Sequence, residues 1–176
     1  ASSVHRRGQA AKAALEAARE SVGRALGAAH AREIVFTSGG TEGDNIALRG
    51  ALRARPERRH LVVTAIEHEA VLNTARALES EGYAVDLAPV DARGVVRLDA
   101  LERLLRPDTC IVSAMWANNE TGVVQPIAEI GALAHRVGAA FHSDAVQALG
   151  KLRLRVEELP VDLVSVSAHK VEGPQG

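Results

Sequence analysis

Lys170 stands in the segment VSVSAHKVEGPQG, where an apolar run ends and Ser167 and His169 lead up to the lysine. A lysine at the end of a strand is either a surface residue whose ammonium group reaches water or a buried amine that is held for chemistry. An amine that has lost its proton is a nucleophile toward carbonyl groups. Which of the two applies depends on the polar groups that the fold brings beside it.

The segment TSGGTEGDN has the composition of a phosphate-binding turn at the start of a helix. Gly39 and Gly40 let the backbone approach a bound group closely, and Thr41 offers a hydroxyl and a backbone N–H where the helix dipole favours an anion. The spacing matches neither a Walker loop nor a dinucleotide-binding fingerprint. A plain helix cap formed by TEGD explains the same residues about equally well.

The segment HSDAVQ places Asp144 at the end of a predicted strand and Gln147 three residues later, on one side of a turn. A buried carboxylate needs a cation or a hydrogen-bond donor, and a protonated heteroaromatic nitrogen is one such partner. Taken alone, the motif favours the simpler role of Asp144 as an N-cap.

Two further segments carry polar side chains directly after apolar runs. His68 in IEHEAV could stack on a flat ring, move a proton or cap the next helix. Asn118 and Asn119 in WANNETG can donate and accept hydrogen bonds, although asparagine is also a common turn residue. Each motif by itself favours the structural interpretation.

The elements that must position these residues follow from the hydrophobic pattern. An amphipathic helix is predicted from about Val4 to Ala28, because apolar residues recur there at steps of three and four. Six strand candidates then alternate with helices that begin near Glu42, Glu69, Leu98 and Ile127; the strand candidates are EIVFTSG, HLVVTAI, AVDLAPV, CIVSAMWA, AAFHSDA and DLVSVSA. We therefore expect an α/β fold with a mostly parallel sheet of about six or seven strands, covered by helices on both faces.

The polar segments all follow predicted strands, and the carboxyl ends of parallel strands meet at one edge of a sheet, where ligands bind. Together they offer an amine, a phosphate cradle, a carboxylate for a ring nitrogen and a side chain that can stack on a ring. Pyridoxal phosphate is the cofactor that requires these four groups. The combination predicts that Lys170 forms a Schiff base with this cofactor.

Composition limits the classes of function. The 176 residues are 47% hydrophobic and 24% charged with a net charge of −1, which provides no basic surface for nucleic acid and no polybasic membrane patch. No stretch is apolar enough to span a bilayer. The single cysteine excludes a disulfide framework and a multi-cysteine metal site, and we expect a cytoplasmic protein without a metal.

Seven segments, in this order, carry a resemblance: SSVHRRG, FTSGGTEGDNIAL, IEHEAVL, ANNETGVVQPI, FHSDAVQALGK, VDLVSVSAHK and GPQG. The chain resembles the large domain of cysteine desulfurases, which belong to the class V aminotransferases of pyridoxal-phosphate fold type I. The resemblance implies that Lys170 holds the cofactor as a Schiff base, that Asp144 contacts the pyridine nitrogen and that Gln147 contacts the ring hydroxyl. It also implies that His68 stacks on the ring and assists proton transfer, with Asn119 near the ring hydroxyl and the substrate. The implied phosphate-binding residues are Gly40, Thr41, Ser167 and His169.

The resemblance further implies L-cysteine as the substrate, a homodimer, and a sulfur-acceptor or scaffold protein as the partner. In this family an enzyme cysteine attacks the substrate sulfur, which leaves a persulfide and alanine. That cysteine and the arginine that binds the substrate carboxylate lie beyond SAHK, so residues 1–176 are expected to form an incomplete large domain. Cys110 is expected to be a buried core residue. An isolated chain of this length is expected to bind the cofactor weakly and to have no desulfurase turnover.

The chain departs from the family pattern at Ala168, Glu172 and Gln175, where glycine, an aromatic residue and lysine are common. These changes concern substrate preference more than cofactor binding. A selenocysteine lyase or another class V enzyme has the same core, and a non-catalytic remnant could retain the fold without turnover. A dinucleotide-binding module is disfavoured, because no Gly-x-Gly-x-x-Gly motif follows the first predicted strand.

Overall fold

Five short strands form one sheet in the order β2-β1-β3-β4-β5, and every neighbouring pair is parallel. The computed structural model describes residues 5–174, so the beginning of SSVHRRG and the end of GPQG, including Gln175, lie outside the described residues. The strands are β1 His60–Thr64, β2 Ala84–Ala88, β3 Thr109–Ser113, β4 Ala140–Asp144 and β5 Leu163–Ser165. Every residue of β1 and β3 is buried, as expected for the centre of a parallel sheet with both faces covered.

Four helices cover the two faces of this sheet: α2 Gly40–Ala54, α3 Glu69–Ser80, α4 Leu98–Leu104 and α5 Ile127–Arg136. Helices α2 and α3 contact each other, and α4 contacts α5, so the helices form two layers. On the α2 and α3 side, Leu48 and Leu52 of α2 pack with Leu61 and Val63 of β1 in a buried cluster. The predicted α/β architecture with a mostly parallel sheet is confirmed.

The first predicted strand, EIVFTSG, is not a strand in the structure, and the described sheet has five strands rather than six or seven. Residues Ala31–Glu33 form a 3-10 turn, and Ile34 is extended. Val35 and Phe36 are 67% and 44% exposed. A β-branched and aromatic run favours extended backbone, but a strand also requires a hydrogen-bonded neighbour, and none of the described strands pairs with this segment.

The chain divides into two compact units, residues 1–36 with 154–158 and residues 37–153 with 159–176. The first unit contains helix α1, Arg6–Leu26, which begins at the His5 cap and ends at Gly27 with φ 74°. The predicted amphipathic helix is therefore present. Its apolar residues are not all buried: Leu26 is buried, whereas Leu15 is 43% exposed. Within residues 5–174, no helix is both long enough and apolar enough to cross a membrane.

Candidate functional site

All nine predicted site residues line one pocket of about 240 Å³ at the carboxyl-terminal edge of the sheet, within the second unit. They are Gly40, Thr41, His68, Asn119, Asp144, Gln147, Ser167, His169 and Lys170. The expected convergence of polar segments at one sheet edge therefore occurs. Asp44, Met115 and Val146 complete the lining.

The pocket lies at the point where the sheet changes its winding direction. Strands β1 and β3 are neighbours, but the chain continues from β1 to β2 on one side and from β3 to β4 on the other. The loops that follow β1 and β3 therefore diverge and leave a crevice between them. Glu67 joins the two loops, because its Oε1 accepts the N–H of Met115 at 2.7 Å and the hydroxyl of Thr64.

The start of α2 provides backbone donors at one end of the pocket. Gly39 is the N-cap, and its N–H donates to Thr37 Oγ1 at 3.3 Å. The first N–H groups of a helix have no partner within the helix, so those of Gly40 and Thr41 are available to an anion. A Cβ at Gly40 would lie 3.1 Å from Val146 Cγ2, so a larger residue would press on that side chain. Glu42 accepts at 2.5 Å from the N–H of Ser38, which precedes the N-cap, and Gly39 makes no side-chain hydrogen bond, so TEGD does not form a plain side-chain cap of α2.

Lys170 lies in a 3-10 turn, Ala168–Val171, that follows β5. Ser167 is buried, and its Oγ lies 2.8 Å from Nδ1 of His169. His169 and Lys170 are both exposed, so the amine is accessible rather than buried. Glu172 ends the turn with φ 63°, which is the one positive φ of a non-glycine residue within the described part of the chain.

Asp144 ends β4 and is buried beside the pocket. Its Oδ1 accepts the N–H of Val146 at 2.9 Å, but a turn and not a helix follows β4, so the predicted role of Asp144 as a helix N-cap is wrong. Burial raises the pKa of Asp144, although the hydrogen bond from Val146 and the nearby His68 oppose this rise. A cation or N–H donor in the pocket would compensate the desolvated carboxylate.

His68 is the N-cap of α3, because its Nδ1 accepts the N–H of Ala70 at 3.1 Å. Since Nδ1 is an acceptor, the neutral ring carries its proton on Nε2. His68 also lines the pocket, so the capping role fixes the orientation of a ring that faces the cavity.

The two asparagines that follow β3 have different environments. Asn118 is a turn residue, because its Oδ1 accepts the N–H groups of Glu120 and Thr121 and its Nδ2 donates to the carbonyl of Ile66. Asn119 is exposed and lines the pocket. The structural interpretation therefore holds for Asn118, whereas Asn119 is placed to contact a ligand.

Gln147 is half-buried in the turn that follows β4. Its Oε1 accepts from Nζ of Lys151 at 2.5 Å. The side-chain amide nitrogen is then the group of Gln147 that can donate to a ligand.

Two buried carboxyl groups are absent from the sequence prediction: Asp44 lines the pocket, and Glu67 lies directly before His68 in the loop that follows β1. Burial, followed by the charge of Asp144, raises the pKa of Asp44 to about 7. Burial raises the pKa of Glu67 to about 8, despite its hydrogen bonds with Thr64 and Met115. Within the described residues, Asp44 Oδ1 and Glu67 Oε2 have no hydrogen-bond partner. The position of Glu67, directly before His68 and after an apolar strand, is the sequence signal that could have identified it.

Cys110 lies in β3 and is fully buried, as predicted. Its Sγ contacts the carbonyl oxygen of Ala51 at 3.4 Å, and burial raises the pKa of its thiol. It is therefore a core side chain and not a nucleophile. Over residues 5–174, no group of three or more His, Cys, Asp or Glu side chains is placed to hold a metal ion.

The residues of the pocket fit pyridoxal phosphate. The helix N-terminus with Ser167 suits a phosphate group, and the desolvated Asp144 suits a protonated pyridine nitrogen. Asp44 Oδ1 is a buried acceptor without a partner at the same wall, which indicates a site built for a polar ligand. Lys170 provides the amine that the cofactor requires.

Comparisons with known proteins agree with this arrangement. The sequence profile of the family described as "Aminotransferase class-V" matches residues 1–176. A protein of Nostoc sp. named "Cysteine desulfurase" is 49% identical over 175 residues, which are 99% of this chain and 44% of that protein. The human "Cysteine desulfurase" is 47% identical over 176 residues, which are 99% of this chain and 38% of that protein.

A solved structure with a similar fold is titled "NIFS-LIKE PROTEIN"; it has a TM-score of 0.94 and 42% identity, and the match covers 99% of this chain and 48% of that one. Another, titled "SspA in complex with cysteine", has a TM-score of 0.92 and 41% identity over 99% of this chain and 50% of that one. The chain thus spans about half, or less, of the length of the proteins that it matches.

Proposed function

Because the chain belongs to the class V aminotransferase family, we propose that it forms the pyridoxal-phosphate site of a cysteine desulfurase, which converts L-cysteine to L-alanine and passes the sulfur on as a persulfide. The observation that carries this proposal is that an amine, a desolvated carboxylate, a histidine ring and a helix N-terminus line one pocket. The relatives named cysteine desulfurases support the reaction, and the neighbour solved with cysteine supports the substrate.

The chain would hold the cofactor at its two ends. The N–H groups of Gly40 and Thr41, with Ser167 and His169, would bind the phosphate, because they combine a helix dipole with side-chain donors. Asp144 would accept a hydrogen bond from the protonated pyridine nitrogen, and this ion pair would compensate the burial of its carboxylate.

Three side chains would fix the ring and its substituents. The imidazole of His68 is held by its bond to the Ala70 N–H and is placed to stack on the ring. The amide nitrogen of Gln147 and the side chain of Asn119 would donate to the ring hydroxyl. A backbone contact therefore orients the ring of His68.

When bound, pyridoxal phosphate withdraws electrons from the carbon that carries the amine of the substrate. The residues of the chain have two further tasks. Lys170 would supply the amine for the cofactor carbonyl, and its exposure allows the substrate amine to replace it. Nε2 of His68 carries the proton in the neutral ring and could exchange a proton with the substrate.

Sulfur transfer needs a thiolate that is accessible to the substrate. Cys110 is the single cysteine of the chain and is buried, so we propose that a cysteine outside these 176 residues accepts the sulfur. A homodimer and a sulfur-acceptor or scaffold protein as partner are also proposals, supported by the family relationship. A cytoplasmic location stays a prediction.

The proposal is tested by adding pyridoxal phosphate to the full-length protein and recording the visible absorbance band of the lysine-bound cofactor. We expect the band in the wild type and in Lys12→Ala, a control at an exposed position of α1. We expect its loss in Lys170→Ala, because no other residue that lines the pocket carries an amine. Absence of the band from the wild type would favour a remnant that retains the fold without the chemistry.

A further inference from the structure

A second carboxyl group faces the same pocket wall as Asp144. Asp44 is the fifth residue of α2, is 1% exposed, and lines the pocket. Its Oδ1 lies 3.6 Å from Nε2 of His142 on β4 and has no hydrogen-bond partner within residues 5–174, while a side-chain hydrogen bond with Ser165 only partly opposes the rise of the Asp44 pKa. A buried carboxylate without a full set of donors is costly.

His142 does not provide a cation for Asp44. The ring is completely buried between Ser113 and Ser165, with Nδ1 2.9 Å from Ser113 Oγ and Nε2 3.0 Å from Ser165 Oγ. Burial lowers the pKa of His142 to about 4, so the ring is neutral at physiological pH. The contact between His142 and Asp44 is therefore not an ion pair.

Asp144 has better compensation for a negative charge than Asp44 has. Its carboxylate accepts the Val146 N–H at 2.9 Å and is near His68, and it is 6% exposed at the pocket wall. Two neighbouring buried carboxyl groups avoid ionising together, and the proton stays on the group with the poorer environment. In this pair that group is Asp44.

We propose that Asp44 is a positioning residue for the pyridoxal-phosphate site: it holds the proton of the Asp44 and Asp144 pair, so that the single negative charge stays on Asp144, beside the pyridine nitrogen. This inference rests on the proposed function for its cofactor, but the location of the proton can be tested without the cofactor. As a neutral acid, Asp44 lines the pocket without competing with Asp144 for the ring nitrogen.

The other titratable groups around Asp44 face it from several elements. Glu67 and His68 approach from the loop that follows β1, His142 and Asp144 from β4, and His169 and Lys170 line the same pocket. The charge of Asp44 also raises the pKa of Glu67, so a comparison of an Asp44 variant with the wild type reports the titration of Asp44 together with this effect, which has the same sign.

The first experiment neutralises each carboxylate in turn in the full-length protein. Asparagine has the shape of aspartate but no charge, so Asp44→Asn keeps the proposed charge state and Asp144→Asn removes the charge. At pH 6, below the pKa of about 7 of Asp44, we expect the Kd for pyridoxal phosphate to change by less than about threefold in Asp44→Asn and to rise by about tenfold or more in Asp144→Asn. The reverse order would show that Asp44 carries the charge and would overturn the inference.

The second experiment follows the melting temperature of the cofactor-free protein from pH 5 to pH 8.5. A carboxyl group with a raised pKa in the folded state stabilises the fold at low pH, and this stability is lost as the pH rises to the folded-state pKa, which is about 7 for Asp44. The melting temperature of Asp44→Asn minus that of the wild type should therefore increase up to about pH 7 to 8 and then level off. A difference that is constant or decreases with pH would overturn the inference.

The two experiments separate this inference from the proposed function. If the wild type fails to form the lysine-dependent absorbance band, the proposed function fails, and the pH comparison still locates the proton. If the band forms but the melting temperatures show no pH-dependent difference, the function stands and the role of Asp44 is wrong.

Discussion

Glu67 shows how one side chain can hold open the crevice in which the site lies. Its Oε1 accepts the N–H of Met115 at 2.7 Å and the hydroxyl of Thr64, so it joins the loops that follow β1 and β3. It is 6% exposed, and burial raises its pKa to about 8. At neutral pH the group is therefore mostly protonated, which agrees with the absence of a cationic partner in its described surroundings.

The titration of Glu67 makes the stability of the protein depend on pH. Since its pKa is raised in the folded state, its contribution is present at low pH and is lost as the pH rises toward about 8. Glu67→Gln keeps the oxygen acceptor and does not titrate. We expect its free energy of unfolding to rise relative to the wild type by about 2 to 4 kcal/mol between pH 5 and pH 8. Urea denaturation at steps of pH measures this difference; a constant difference would contradict the buried, protonated carboxyl.

The sequence predicts single residues when they follow a strand and carry a side chain of recognisable chemistry. Lys170, Asp144 and His68 are such residues. Asp44 could not be assigned in this way, because TEGD has the composition of an ordinary helix start, and the position of Glu67 after an apolar strand is a signal for its location but not for its burial. Their importance arises from burial, which depends on how α2 and the β1 loop pack against the sheet. Burial of a charge is a tertiary property that local spacing does not reveal.

Among the elements, α5 packs closely against its neighbours at a glycine. Gly131 of α5 is buried, and a Cβ at this position would lie 2.8 Å from Pro160 Cγ, 2.9 Å from Phe141 Cδ1 and closer still to the Pro160 carbonyl oxygen. Backbone atoms cannot give way as flexible side chains do. The glycine therefore sets the distance at which α5 lies on β4.

Gly131→Ala should destabilise the protein by about 1 to 3 kcal/mol, because the added methyl forces α5 away from its contacts. Gly50 in α2 is a matched control, since no atom lies within 4 Å of the position that a Cβ would take there. Gly50→Ala should stabilise the helix by about 0.5 to 1 kcal/mol. Free energies of unfolding from urea denaturation test both; a neutral Gly131→Ala would contradict the described packing.

The element pattern was predictable where hydrophobic periodicity and burial agree. The runs that form β1 and β3 are apolar because both faces are buried, and the α2, α3, α4 and α5 helices begin within two residues of their predicted starts. The segment EIVFTSG has the same local character as a strand but no partner among the described strands, so it stays unpaired. Pairing is decided by the neighbours of a segment and not by its own residues.

For the molecule as a whole, the residues that form the core and the residues that form the candidate site lie in different parts of the fold. The sheet core is mostly apolar, with a few buried polar side chains such as His60 and His142, and the polar residues of the site gather at its carboxyl-terminal edge, where the crevice between β1 and β3 lies. The sequence predicted this edge because every polar segment follows a strand candidate. What it could not predict is the exposure of Lys170 in a 3-10 turn, since that depends on the path of the chain beyond the short strand β5.

Lys170 is proposed as the residue that binds pyridoxal phosphate. The 176 residues contain three lysines among which this proposal can be tested: Lys12, Lys151 and Lys170. Borohydride reduction of the loaded full-length protein fixes the cofactor to the amine that holds it, and peptide mass spectrometry then identifies that residue. We expect stoichiometric modification of the peptide that contains Lys170. Modification at Lys12 or Lys151 instead, or no stable modification of any lysine, would contradict it.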